Sequence, residues 1–532
     1  MADGRRPAAR SLGGFPWSIW GLVLTLGACA TPGDPRPPAA GAARPPATPA
    51  KASAAARATS VDPWRGRTDL LQAPPPRAGV RLPLAGLSRV ALPNGVTLLL
   101  LPDPTLPLIS VQLHLPCGSI DDPAAQAGLA AFTFEMLPQG TRRRGADAIA
   151  TTVEAAGATL NTRAGYETSQ IGCSGRREQL GLCLGLVAEL AREPAFAPTE
   201  IEEVRRRLLG EVRDARDDPS TLAALHFANQ LYGDAHPAGR AISAESLARI
   251  TRTDLVAFHR RQLVPQGAIL AVSGDLDPAT VARQVRRLLD GWRGGAPRRA
   301  PPPALPPIAN GLHLLLVDKP ELTQSFFALG HGGVSVKDRA RDALRLGNYV
   351  LGGGGFSSRL MQQVRSAGGK TYGISSAFEA HADDGAFRIA SFTRHEELVP
   401  TLRLVLRELA QLRLQPPSAA ELLGAKGQLA GGYVLEYQTA AHLAAALAHA
   451  QLAGLPDSYV SELPLRLDAL TLEAVATAIR DRLHPDQLIG TVVGRATTVA
   501  PLLRQAGLPF TTISYQAPIS AALRDAAATP HP

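Results

Sequence analysis

The sequence predicts an α+β protein made of two similar domains, residues 82–293 and 308–515. Three observations predict it. A motif recurs: Asn94-Gly95-Val96-Thr97-Leu98-Leu99-Leu100 is echoed by Asn310-Gly311-Leu312-His313-Leu314-Leu315-Leu316, 216 residues further on, about the length of a domain. A Pro-rich stretch, 294–307, lies between the two copies and reads as a linker. In each half, short apolar runs bounded by turn residues alternate with segments of helical periodicity. The chain of 532 residues is long enough for two or three domains, and its 45% apolar content suits a globular, Ala/Leu-rich core.

In chain order, 90–104 reads as two strands around the Asn94-Gly95 turn, followed by a strand over 108–115. Helical patterns cover 124–137, 146–156 and 177–192, with a strand pair at 158–162 and 167–173 between the last two. A long helix is predicted over 198–214 and another over 220–231. An apolar strand over 266–273 and a helix over 278–290 close the first domain. In the second domain a helix starts after four glycines, with Ser357 or Ser358 as its N-cap, and ends at Gly368 and Gly369. Residues 516–532 form a tail.

Residues 1–28 read as a targeting segment. Arg5, Arg6 and Arg10 precede a twelve-residue apolar run, 17–28, too short to span a membrane. The run ends in Leu26-Gly27-Ala28-Cys29, which resembles a bacterial lipoprotein signal with Cys29 as the lipidated residue. Ala30 rather than Asp follows, which by resemblance to the bacterial sorting rule favours the outer membrane. Acyl chains at Cys29 would hold the chain at the cell envelope, facing the periplasm. Residues 29–81, rich in Ala and Pro, read as a disordered tether. The net charge of +9 is scattered, with no basic stripe interleaved with aromatics, so nucleic acid is not an expected partner. Cys117, Cys173 and Cys183 allow at most one internal disulfide; buried free thiols are the expectation, and the absence of C-x-x-C leaves a cysteine zinc site unsupported.

The stretch 351–376, LGGGGFSSRLMQQVRSAGGKTYGISS, carries most of the functional signal. Arg365 falls late in the helix and Tyr372 seven residues on, past a turn that could bring both to one place. A guanidinium and a phenol together donate hydrogen bonds to a carbonyl, a carboxylate or an oxyanion. A salt-bridged arginine at a helix end and a half-buried strand tyrosine fit the spacing equally. Gly352, Gly353, Gly354 and Gly355 could serve as a plain turn or admit a close-lying ligand.

This stretch resembles the C-terminal-half signature of the pitrilysin/insulinase family of zinc metallopeptidases, which includes mitochondrial processing peptidase. The resemblance spans both halves. It implies, for each domain, a mainly antiparallel sheet packed with helices on one side, and roles for Arg365 and Tyr372 in binding the substrate backbone. Peptide-cleaving members carry H-x-x-E-H on a first-domain helix, where two His bind Zn²⁺ and the Glu activates water. Here the frame Gly128-Leu129-Ala130-Ala131-Phe132-Thr133-Phe134-Glu135-Met136-Leu137 is kept and the chemistry is lost. Ala131 stands at the first His, Phe134 at the general base and Glu135 at the second His. The third ligand position corresponds to Glu211, expected as an exposed acid among arginines. Two carboxylates without imidazole bind zinc poorly, and Phe134 cannot take a proton from water. The twelve histidines are dispersed, the closest two being His442 and His449.

The resemblance therefore implies a non-catalytic, substrate-binding subunit of a heterodimeric zinc peptidase, inactive alone and binding no metal itself. Zinc would sit on a homologous partner carrying H-x-x-E-H, and peptides would be the substrates. The alternatives are a scaffold protein of an envelope complex without proteolytic role, and an independent peptidase with an unusual metal site, against which Phe134 counts.

Overall fold

A computed structural model describes residues 66–68, 79–296, 299 and 301–521. The predicted signal segment, Cys29 and nearly all of the tether lie outside the described residues. The described residues from 79 onward form one compact unit containing two six-stranded sheets.

The first sheet uses β1 (Ser88–Ala91), β2 (Thr97–Pro102), β3 (Leu108–Leu115), β4 (Thr159–Ala164), β5 (Ser169–Arg176) and β6 (Ile269–Gly274), in the order β1-β2-β6-β3-β5-β4. The second uses β7 (Gly311–Asp318), β8 (Gln324–Gly332), β9 (Ile374–Ala380), β10 (Gly385–Arg394), β11 (Gln487–Gly494) and β12 (Phe510–Ser514), in the order β12-β7-β11-β8-β10-β9. Pairing is antiparallel except for β2 with β6 in the first sheet and β7 with β11 and β12 in the second. The fold is α+β, and the two sheets repeat one another in five strands. The sixth differs: a strand before the Asn-Gly turn edges the first sheet, whereas a strand from the far end of the chain edges the second.

The leucine runs explain how the sheets are covered. Along β2, Leu98 and Leu100 enter one core while Leu99 and Leu101 enter another. Along β7, Leu314 and Leu316 face one core and Leu315 and Val317 a third. Successive strand residues point to opposite faces, so an unbroken apolar run marks a strand buried on both. One face of the first sheet packs on helices of its own half, Leu180–Arg192 and Pro278–Leu289. Its other face takes a helix from the second half, Ala440–Leu452, through Leu443, Leu447 and Ala448. The arrangement is reciprocal. Helix Pro219–Tyr232 of the first half lies on β8 and β11, with Leu222, Phe227 and Leu231 in their shared core. The halves are also tied by His236 Nε2, 2.8 Å from Asp384 Oδ2.

Three expectations need correction. Cys173 and Cys183 are joined in a disulfide with Cα atoms 5.2 Å apart, and only Cys117 is a buried free thiol among the described residues. The reason is local: β5 runs directly into helix Leu180–Arg192, which folds back onto the sheet and brings the sulfurs together. The helix predicted over 124–137 is broken, because Gly128 adopts φ +99° and the helix proper is Leu129–Met136. Asp122 caps it, accepting the N–H of Gly128 and of Ala130, each at 2.8 Å. Finally, Ser358 does stand at the start of the helix, extended and with its carbonyl accepting the N–H of Gln362 at 3.0 Å, but neither serine caps through its side chain: the hydroxyls of Ser357 and Ser358 donate to Gly354 O at 2.9 Å and Gly355 O at 2.7 Å.

Candidate functional site

The glycine run follows helix Arg341–Asn348. The chain there widens into a π-helical turn, Tyr349–Gly353, with Gly354 N–H bonded to Tyr349 O at 2.8 Å. Such turns concentrate at functional sites. The glycines pack on their own chain. A Cβ on Gly352 would stand 2.5 Å from Ser376 Oγ, one on Gly353 2.8 Å from Asn348 Nδ2, and one on Gly354 2.7 Å from Tyr349 O. Only Gly355, at φ +57°, faces open space. Asn348 and Ser376 lock this turn to β9: Asn348 Nδ2 donates to Ser376 O at 2.9 Å, and Ser376 Oγ donates to Asn348 Oδ1 at 2.7 Å.

A second π-helical segment, Met361–Ala367, carries Arg365 and is anchored by buried Met361 and Val364. Gly369, at φ +58°, turns the chain back, so Arg365 Cζ lies 4.8 Å from the centroid of the Tyr372 ring. The turn thus brings together the two residues that the spacing suggested. Phe356, which carried no signal in the sequence, stacks on the same guanidinium at 4.5 Å. Both rings stand out from the surface, Tyr372 at 76% and Phe356 at 71% exposure. Among the described residues Arg365 makes no salt bridge. Two aromatic rings lie against its guanidinium, whose N–H groups bond no acceptor among the described residues, a cation–π arrangement worth about 0.5–1 kcal/mol per exposed ring. By contrast, Arg359 on the same segment is fully engaged, bidentate with Glu421 at 2.8 and 2.9 Å.

The second cluster lies where helices Leu129–Met136 and Pro198–Asp217 meet. Phe134 points into the core, and Ala131 and Glu135 are half-buried. Glu211 is not the exposed acid expected from its sequence: it is half-buried, and burial, with Glu135 adding, pushes its carboxyl above the usual range. Arg207 pairs with Glu135, Nη2 2.6 Å from Oε2, and its charge also opposes the upward shift of Glu211. These side chains do not suit zinc: a methyl and a carboxylate stand in place of the two imidazoles, a phenyl replaces the water-activating carboxylate, and a guanidinium holds Glu135. Among the described residues, no group of three or more His, Cys, Asp and Glu could hold a metal ion.

The family models described as Insulinase (Peptidase family M16) and Peptidase M16 inactive domain match residues 98–243 and 249–429. The chain is similar to an uncharacterized zinc protease of Mycobacterium bovis, 30% identical over 414 residues, covering 76% of this chain and 93% of the relative. A similar protein of Streptomyces coelicolor is 25% identical over 400 residues, covering 74% of this chain and 86% of the relative. Among solved structures, the peptidase M16 inactive domain from Pseudomonas fluorescens matches with TM-score 0.72 and 28% identity, covering 77% of this chain and 98% of that one. A protease from Helicobacter pylori matches in fold with TM-score 0.70 and 18% identity, covering 76% and 99%.

Proposed function

The chain belongs to the insulinase (peptidase M16) family, and from that premise we propose that it is the substrate-binding, non-catalytic subunit of a heterodimeric zinc peptidase in the bacterial cell envelope. The observation that carries the reading is the contrast between the two clusters. The metal-binding frame has lost its donors, while Arg365 and Tyr372 lie side by side with the guanidinium edge free. A scaffold has no use for an arginine held between exposed rings without a carboxylate partner; a peptide-binding surface does. In the proposed complex, Arg365 donates to a substrate carbonyl, and Tyr372 orients it or stabilises the oxyanion that forms. Gly355 leaves room beside them. Zinc and the water-activating Glu belong to the partner. The Cys173–Cys183 disulfide supports an oxidising compartment, in keeping with the signal read at Cys29.

The test is a pull-down from native membranes, with the eluate assayed on a quenched peptide. The reading expects a co-purifying chain with H-x-x-E-H and cleavage only by the pair. Arg365→Ala and Tyr372→Phe are each expected to lower cleavage about 10²–10³-fold while the complex still assembles. Full activity in both variants removes the proposed role; a complex without any proteolysis favours the scaffold.

A further inference from the structure

We propose that Arg207 is the resident cation of the vestigial metal centre, and that its fixed charge bars a divalent metal from the position. Helix Leu129–Met136 supplies Glu135 and helix Pro198–Asp217 supplies Glu211. Arg207 stands one helical turn before Glu211, on the same face of that helix. Its guanidinium reaches across to Glu135, Nη2 to Oε2, at 2.6 Å.

The three consecutive arginines are not equivalent, and their partners show which one serves the centre. Arg205 is turned to the backbone carbonyls of Leu247 and Ile250, 2.9 Å from the latter, and lies over the Phe132 ring. Arg206 pairs with Glu203 along its own helix at 2.7 Å. Arg207 alone of the three pairs with a carboxylate of the other helix.

Two carboxylates facing one another need a positive charge between them. A dication could supply it, but it would have to displace the guanidinium from Glu135 and then sit beside that displaced charge. Both steps oppose binding, and no imidazole compensates them. The position is thus neutralised from within the chain. A subunit built this way does not compete for zinc with a metal-bearing partner, and the position is neutralised whether or not such a partner exists.

The test restores two ligands and varies only the cation. Ala131 and Glu135 are half-buried, so Ala131→His with Glu135→His leaves the core, including Phe134, untouched. With Glu211 the set becomes two imidazoles and a carboxylate, a zinc-competent combination. In the full chain, zinc affinity is measured by competition with a chromophoric chelator. Zinc is expected to bind at least tenfold more tightly when Arg207→Met is added to the two-histidine background. Arg207→Lys, which keeps the charge, is expected to bind as weakly as Arg207 itself. Equal affinity with arginine and methionine overturns the proposal. Failure of the Arg207→Met chain to bind zinc, with its melting transition intact, overturns it as well, because the guanidinium was then not the barrier.

Discussion

At the scale of single residues, the unexpected participant is Phe356. An exposed phenylalanine contributes little to stability, and this one lies with its ring 4.5 Å from the Arg365 guanidinium. Phe356→Ala is expected to leave the melting temperature nearly unchanged, since surface substitutions fall within about 0.5 kcal/mol. It is also expected to raise the rate at which phenylglyoxal modifies Arg365 several-fold, read by mass spectrometry, with Phe356→Trp restoring the slow rate. An unchanged rate in Phe356→Ala would show that the ring does not hold the guanidinium. Arg365 and Tyr372 were legible in the sequence because motif and spacing marked them. Phe356 and Arg207 were not, because each acts through a contact. Arg207 is one of three adjacent arginines, and only the packing of two helices separates its role from those of Arg205 and Arg206.

At the scale of elements, the glycine run shows how backbone packing can imitate a ligand site. Gly352 is required because β9 lies against it: an added Cβ would stand 2.5 Å from Ser376 Oγ and 2.8 Å from Ser376 N. Gly352→Ala should therefore destabilise the protein by about 1–3 kcal/mol, the usual cost of overpacking, seen as a lower denaturant midpoint. A shift below about 0.5 kcal/mol would mean that the turn moves away from β9 without resistance. The strands were the most legible elements. An apolar run after Asn-Gly specifies strand and turn locally, whereas the second cover of the sheet, expected to carry helices on one side, comes from the other half of the chain. The break at Gly128 was hidden because its cause, the Asp122 carboxylate accepting two N–H groups, depends on a loop folding back. The Cys173–Cys183 bridge was hidden for the same reason: the spacing permitted it, but only the return of the helix onto β5 brings the sulfurs together.

At the scale of the whole molecule, the duplication is plain in the sequence and the exchange of helices is not, since nothing in the periodicity of 219–232 or 440–452 says whose sheet it covers. The exchange buries His114 of β3 against His449 of the second half, ring centroids 4.8 Å apart. Both His114 ring nitrogens are buried without a hydrogen-bond partner among the described residues. Burial, and then His449, holds the pKa of His114 well below 6.5; burial also lowers that of His449, with Arg163 adding. The unfolded chain takes up a proton near pH 6.5 that folded His114 refuses, so stability present above that pH is lost as pH falls, by about 1.4 kcal/mol per unit. Asp122 acts in the other sense, burial having pushed its carboxyl up to about 7, so the comparison must be made against a variant. His114→Leu is expected to gain stability relative to the natural chain between pH 6.5 and 5.5, in paired urea titrations. Parallel pH profiles would show that His114 is not the group that titrates.

The reciprocal helices also order events during synthesis. The first sheet is complete once Gly274 has left the ribosome, yet the helix that covers its second face begins at Ala440. Until then Leu99, Leu101, Ile269 and Ala271 have no cover. Helix Pro219–Tyr232 likewise waits for β8 and β11. Neither half has a finished state of its own to pause in, so the chain folds as a single late event. A polypeptide of this kind is expected to keep that apolar face uncovered until nearly all of it has been made.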